Sequence, residues 1–180
     1  MRKVNWQKMG IKEVAGFISS YLRENGIDAV LVGGACVSIY TKNKYLSYDL
    51  DFVTFELLEK IEEVLRVIGF KRDGRLFRNQ DCLFILDFPA PPVGIGKECP
   101  IKKFKNIKTG KGVIKMLSPT DSVKDRLAAY FYWNDPQSLE QAIMIAAIRK
   151  IDVKDIEKWV RNEGKSGEYG KIKKYLSGKK

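Results

Sequence analysis

Two glycines and three aspartates carry the chemistry available to this chain of 180 residues. Leu31-Val32-Gly33-Gly34 is followed, fourteen residues later, by Asp49-Leu50-Asp51-Phe52-Val53. A third acid, Asp87, ends the apolar run Leu83-Phe84-Ile85-Leu86 and is followed by Phe88. Residues two apart on a strand share a face, so Asp49 and Asp51 project together while Leu50 and Phe52 enter a core. Paired carboxylates repel unless a cation lies between them, and magnesium suits such a site because it takes few carboxylates and keeps places for phosphate oxygens. Glycines at the start of a helix let backbone amides approach a phosphate closely. Taken together, the pattern points to phosphoryl transfer. Each part alone has a plainer reading: a tight turn for the glycines, a solvent-facing strand edge for the acid pair, and a loop cap for Asp87.

Something must hold these residues in place. Ile11, Val14, Ala15, Ile18 and Leu22 recur at helical spacing, and Asn25-Gly26 ends that helix. A short strand over residues 29–32 then meets the glycines, and a helix from Ala35 to about Lys42 follows. Residues 43–48 read as a loose polar loop, and the acid pair lies on a second strand. Leu57, Leu58, Ile61, Val64, Leu65 and Ile68 trace a second amphipathic helix, which Gly69 closes. Asp73-Gly74 marks a turn, Cys82 to Phe88 a strand, and further strands are expected near 101–107 and 112–117. This order predicts an α/β or α+β fold with a short mixed sheet and flanking helices over residues 1–117. Residues 118–180 read as a helical extension with a basic tail. Ser118-Pro119, Asp135-Pro136 and Asp152 supply its helix starts. Tyr130-Phe131-Tyr132-Trp133 reads as part of a helix–helix core.

Composition narrows the function. The chain has no histidine, which removes the usual triad hydrolases and the commonest general base. Its three cysteines have no zinc spacing and read as idle thiols. No apolar run approaches membrane-spanning length and no signal peptide is visible, so no membrane role and a cytoplasmic home are expected. The net charge of +11 is concentrated in residues 97–115, with a surplus of six, and 161–180, with a surplus of five. Such clusters suit RNA, though a solvated lysine-rich surface has the same composition.

The residues resemble the nucleotidyltransferase superfamily with the DNA polymerase β-like fold. Its signature is a strand ending in Gly-Gly or Gly-Ser, a short helix, Asp-apolar-Asp, and a third Asp on a later strand. Gly33-Gly34, Asp49-Leu50-Asp51 and Asp87 match in that order, and Ser47 matches a position that is often Thr or Ser. Gly34 stands where Ser is usual, which leaves Ser38 as a substitute hydroxyl. Residues 117–148 look like the extension of small bacterial and archaeal minimal or toxin–antitoxin nucleotidyltransferases. The resemblance implies two magnesium ions on Asp49, Asp51 and Asp87, with these three as catalytic residues. It implies nucleotide binding by Gly33, Gly34, Ser47 and Lys124. A nucleoside monophosphate would pass from a triphosphate such as ATP to a hydroxyl of a tRNA-like RNA or a protein. The competing expectation is a non-catalytic, antitoxin-like or RNA-binding module with a vestigial site, working with a protein partner. A sugar-nucleotide glycosyltransferase explains the acid pair but not the glycines.

Overall fold

The computed structural model describes residues 4–176, so Met1-Arg2-Lys3 and the Lys179-Lys180 end of the basic tail lie outside the described residues. After a 3-10 turn at Trp6–Lys8 come α1 (Ile11–Glu24), β1 (Val30–Val32), α2 (Gly33–Thr41), β2 (Asp49–Val53) and α3 (Leu58–Arg66). Next are β3 (Lys71–Asp73), β4 (Leu76–Arg78), β5 (Ile85–Asp87), β6 (Lys105–Thr109) and β7 (Gly112–Met116). The chain finishes with α4 (Pro119–Trp133), α5 (Pro136–Ile148), α6 (Val153–Glu163) and α7 (Ser166–Leu176). The strands make one mixed α/β sheet in the order β3-β4-β5-β2-β1-β7-β6, with β1–β7 and β2–β5 parallel and the other pairs antiparallel.

Alternation fixes the central strands. Leu50, Phe52 and Leu86 are fully buried, and the Phe52 ring stacks on Phe88, which meets Phe77 edge to face. Each such side chain contributes about 1.5–3 kcal/mol through burial, and a one-residue slip would bring the acids inward instead. The apolar anchors therefore hold β2 and β5 in the register that turns Asp51 and Asp87 to the other face.

Helix starts follow the residues expected of them. Ser118 Oγ accepts from Asp121 N, Asp135 from Gln137 N, and Asp152 from Asp155 N, with Pro119 and Pro136 opening their helices. Three expectations need correction. The strand at 82–88 is confined to Ile85–Asp87, because Cys82 N turns back to Asn79 O. Tyr132 and Trp133 lie exposed at the end of α4 instead of in a helix–helix core. The basic tail contains a helix, α7, which buries Tyr169, Ile172 and Leu176. Among the described residues no helix is long and apolar enough to cross a membrane.

Candidate active site

The site is built where β1 ends. Val32 pairs with Asp51 across the β1–β2 ladder, and Asp51 pairs with Asp87 across β2–β5. Three adjacent strands thus bring Val32, Asp51 and Asp87 into one row, with Gly33 next in the chain and Asp49 two residues outward along β2. A Cβ on Gly33 would lie 2.3 Å from Asp51 Oδ2, so the carboxylate fills the space that a side chain would take. Gly33 is left-handed (φ +67°), a conformation that glycine adopts freely. The helix that starts here has Val32 at its cap and no side chain bonded to its first amides. Those N–H groups are unpaired within the helix and suit an anion.

Ser47 sits beside Gly34, but its hydroxyl donates to Asp49 O at 2.9 Å and accepts from Asp49 N at 3.3 Å. Ser47 N in turn donates to the buried Ser38 Oγ at 2.9 Å, and Ser38 Oγ donates to Gly34 O. Both hydroxyls brace the backbone between the glycines and the acid pair. This corrects two expectations, since Ser38 is not a spare phosphate contact and the 43–48 loop is pinned at its end.

The carboxylates repel one another. Burial, then Asp87 and then Asp49 raise Asp51 from 3.8 to about 6, against the opposing charge of Arg126. Arg126 is the cation behind the site. Its Nε and Nη2 donate to Asp125 Oδ2 at 3.0 and 2.6 Å, and its Nη1 donates to Gln141 Oε1 at 3.3 Å. Cys36 is buried nearby, and desolvation pushes its thiol far up, so it is inert as a nucleophile. On the open side, Arg75 Nε lies 2.9 Å from Asp87 Oδ1 without the alignment of a hydrogen bond, so that buried oxygen accepts none.

Lys124 is placed otherwise than the sequence suggests. Its ammonium is buried and lies 2.7 Å from Asp155, 3.1 Å from Glu98 and 3.6 Å from Asp121. Desolvation lowers its pKa, but the bonds to Asp155 and Glu98 outweigh that and leave it above the ordinary value. Lys124→Met is expected to cost about 2 kcal/mol in thermal unfolding, below the ~3–5 kcal/mol of a fully buried pair because two partners are half exposed. Nucleotide affinity should hardly change. A large loss of affinity with unchanged stability would show that the ammonium serves the phosphates after all.

As the side chains stand, no group of three or more Asp, Glu or Cys among the described residues is gathered tightly enough to hold a metal ion. The chemistry of the donors nevertheless fits a hard divalent cation. All are carboxylate oxygens, Asp51 bears a charge its neighbours disfavour, and Asp87 presents a buried oxygen without a hydrogen bond.

Residues 11–76 match a family described as nucleotidyl transferase of unknown function, a segment that runs from α1 through Asp51 to β4. No curated protein sequence matches the chain. Among solved structures, an antigenic nucleotidyltransferase-like protein from Paracoccidioides brasiliensis superposes with a TM-score of 0.62 at 14% identity, covering 92% of each chain. The ANT(2″)-Ia protein in complex with adenylyl-2″-tobramycin superposes with a TM-score of 0.55 at 11% identity, over 86% of this chain and 96% of that one. At such identities the likeness is one of fold. The chain has the fold of these nucleotidyltransferase-like structures, and its residues 11–76 match the nucleotidyl transferase family model.

Proposed function

We propose that the protein transfers a nucleoside monophosphate from a nucleoside triphosphate to an acceptor hydroxyl, with magnesium as cofactor. The observation that carries this reading is the row of Val32, Asp51 and Asp87 on adjacent strands, with Gly33 directly after Val32 and Asp49 on the same face of β2 as Asp51. Asp49 and Asp51 would hold the cation with Asp87 completing the set, and a bound divalent ion would supply charge neutralisation to the reacting phosphate. The amides at the start of α2 receive the triphosphate oxygens, and Gly33 and Gly34 let the backbone come close. Asp87 draws the proton from the attacking hydroxyl, whose oxygen bonds to the α-phosphorus as pyrophosphate leaves. Arg75, largely exposed on the β3–β4 turn, balances Asp87 until substrate arrives and then swings clear. Arg126 and Asp125 hold the helical side of the site at fixed charge.

Incubation with an α-labelled nucleoside triphosphate and magnesium should label an RNA or protein acceptor. Asp49→Asn should abolish the label without unfolding the chain, because Asp49 is exposed. Absence of label with all four nucleotides on both acceptor classes would defeat the proposal. The acceptor is anionic, since a net charge of +11 repels cationic hydroxyl compounds and attracts phosphate backbones.

A further inference from the structure

We infer that the groove between residues 98–105, the first turns of α4 and the α5–α6 turn docks a single-stranded nucleic acid, the acceptor of the proposed transfer. The groove encloses about 1510 Å3, more than the roughly 300–1,000 Å3 of small-ligand pockets. Five exposed lysines line it: Lys102, Lys103 and Lys105 from the loop and strand before β7, and Lys150 and Lys154 from the far side. The two sets are some fifty residues apart in sequence, and only the fold brings them together.

Acids line the groove as well, but they are already engaged. Glu98, Asp121 and Asp155 surround the Lys124 ammonium, and Asp152 caps α6 through Asp155 N. None of the five lysines forms an ion pair with a described residue, and with Lys124 they leave the lining a surplus of two positive charges over its four acids. Some basic positions elsewhere in residues 97–115 and 161–180 are paired. Lys115 pairs with Asp28 at 2.6 Å, Lys165 with Glu168 at 3.1 Å, and Lys173 with Glu157 at 2.7 Å. The groove is where lysines from two distant parts of the chain converge.

The sheet fixes its position relative to the site. Lys105 pairs with Met116, Met116 with Leu31, and Leu31 with Phe52, the neighbour of Asp51. Three strand spacings, about 14 Å, separate Lys105 from β2, and because paired residues share a face Lys105 lies on the Phe52 side of the sheet, opposite the carboxylates. Helix α4 stands between the two, with Lys124 lining the groove and Arg126, about 200° around the helix, acting on Asp51. A strand held by the lysines must pass around α4 and the end of the sheet to bring its terminal hydroxyl to the acids.

The acceptor role rests on the proposed function, whereas binding does not, and the experiment keeps them apart. Short single-stranded RNA and DNA oligonucleotides of one sequence are titrated into the full chain by fluorescence anisotropy, from about 50 to about 200 mM salt. With five phosphate contacts, log K should fall with a slope near −3.5 against log salt, about −0.7 per contact. Lys150→Glu/Lys154→Glu should lower affinity at least tenfold and flatten the slope by about 1.4. Lys102→Ala/Lys103→Ala should act in the same direction, and Lys71→Glu, on the opposite edge of the sheet, should change nothing. Preference for the RNA or the DNA strand assigns the acceptor class. Equal losses from Lys71→Glu, or an unchanged slope in both lysine doubles, overturn the inference. Label transfer to a protein acceptor, undiminished in the lysine doubles, would also overturn it while leaving the transferase reading intact. Lysine-dependent binding without transfer would leave the binding surface standing and remove only its catalytic role.

Discussion

Asp51→Asn is expected to yield a protein that is inactive and yet harder to unfold. Asp51 is held near pKa 6, against 3.8 ordinarily, chiefly by burial and then by Asp87 and Asp49. Two units correspond to at most about 3 kcal/mol, and partial exposure of the carboxylate reduces this to about 1–2 kcal/mol. The sign follows from proton binding. Between pH 3.8 and about 6 the folded chain retains a proton that the unfolded chain has lost. Stability without metal therefore falls as pH rises through that window, and stays at the lower level above it. The amide has no charge to desolvate, so Asp51→Asn should unfold about 2–6 °C higher at neutral pH and lose this segment of pH dependence. Magnesium should stabilise the parent chain and not the variant, since only the former gains a ligand-bound folded state. Transfer should fall by about a thousandfold or more, as when a group acting on developing charge is removed. Thermal scans against pH, with and without magnesium, test the first half. A variant that melts earlier than the parent, or that still transfers nucleotide, would remove Asp51 from the centre of the site.

This coupling of instability and function explains what could be read from the residues in order. The glycine pair and the acid pair were legible because strand alternation admits one arrangement: with Leu50 and Phe52 buried, Asp49 and Asp51 must share the other face. Asp87 was legible because an acid bounded by apolar residues needs a partner, and β5 lies beside β2 with Asp87 opposite Asp51. The cations around the site were harder. Lys124 and Arg126 stand two residues apart on α4, about 200° around the helix, so only one can face the carboxylates. Both flank the same apolar stripe, and nothing local says which side the sheet occupies. Arg75 carries no signal in the order of residues, because its approach to Asp87 depends on how the β3–β4 hairpin folds back along β5. Helix α7 was hidden by its lysines and by Gly167 and Gly170, poor helix formers whose cost is met by burial of Tyr169, Ile172 and Leu176.

Gly33→Ala should cripple the site without removing a single functional group. Two separate effects combine there. The backbone at φ +67° costs a non-glycine residue about 1–2 kcal/mol. The new methyl would also stand 2.3 Å from Asp51 Oδ2, far inside contact distance. The carboxylate must then turn toward Asp49 or Asp87, against the repulsion that already raises its pKa. Displacements of about 1 Å at a reacting centre cost on the order of a hundredfold in rate, and this is the loss expected. Gly34→Ala provides the matched comparison. Its Cβ would meet Ser47 Oγ at 3.2 Å, a shift of a few tenths of an ångström, and its backbone is not left-handed. It should keep transfer within about tenfold of the parent, because the amides of α2 keep their places. Steady-state transfer rates and unfolding midpoints for the two variants separate strain from chemistry. Equal rates for Gly33→Ala and the parent would mean that the Asp51 carboxylate does not work from the position against the glycine turn.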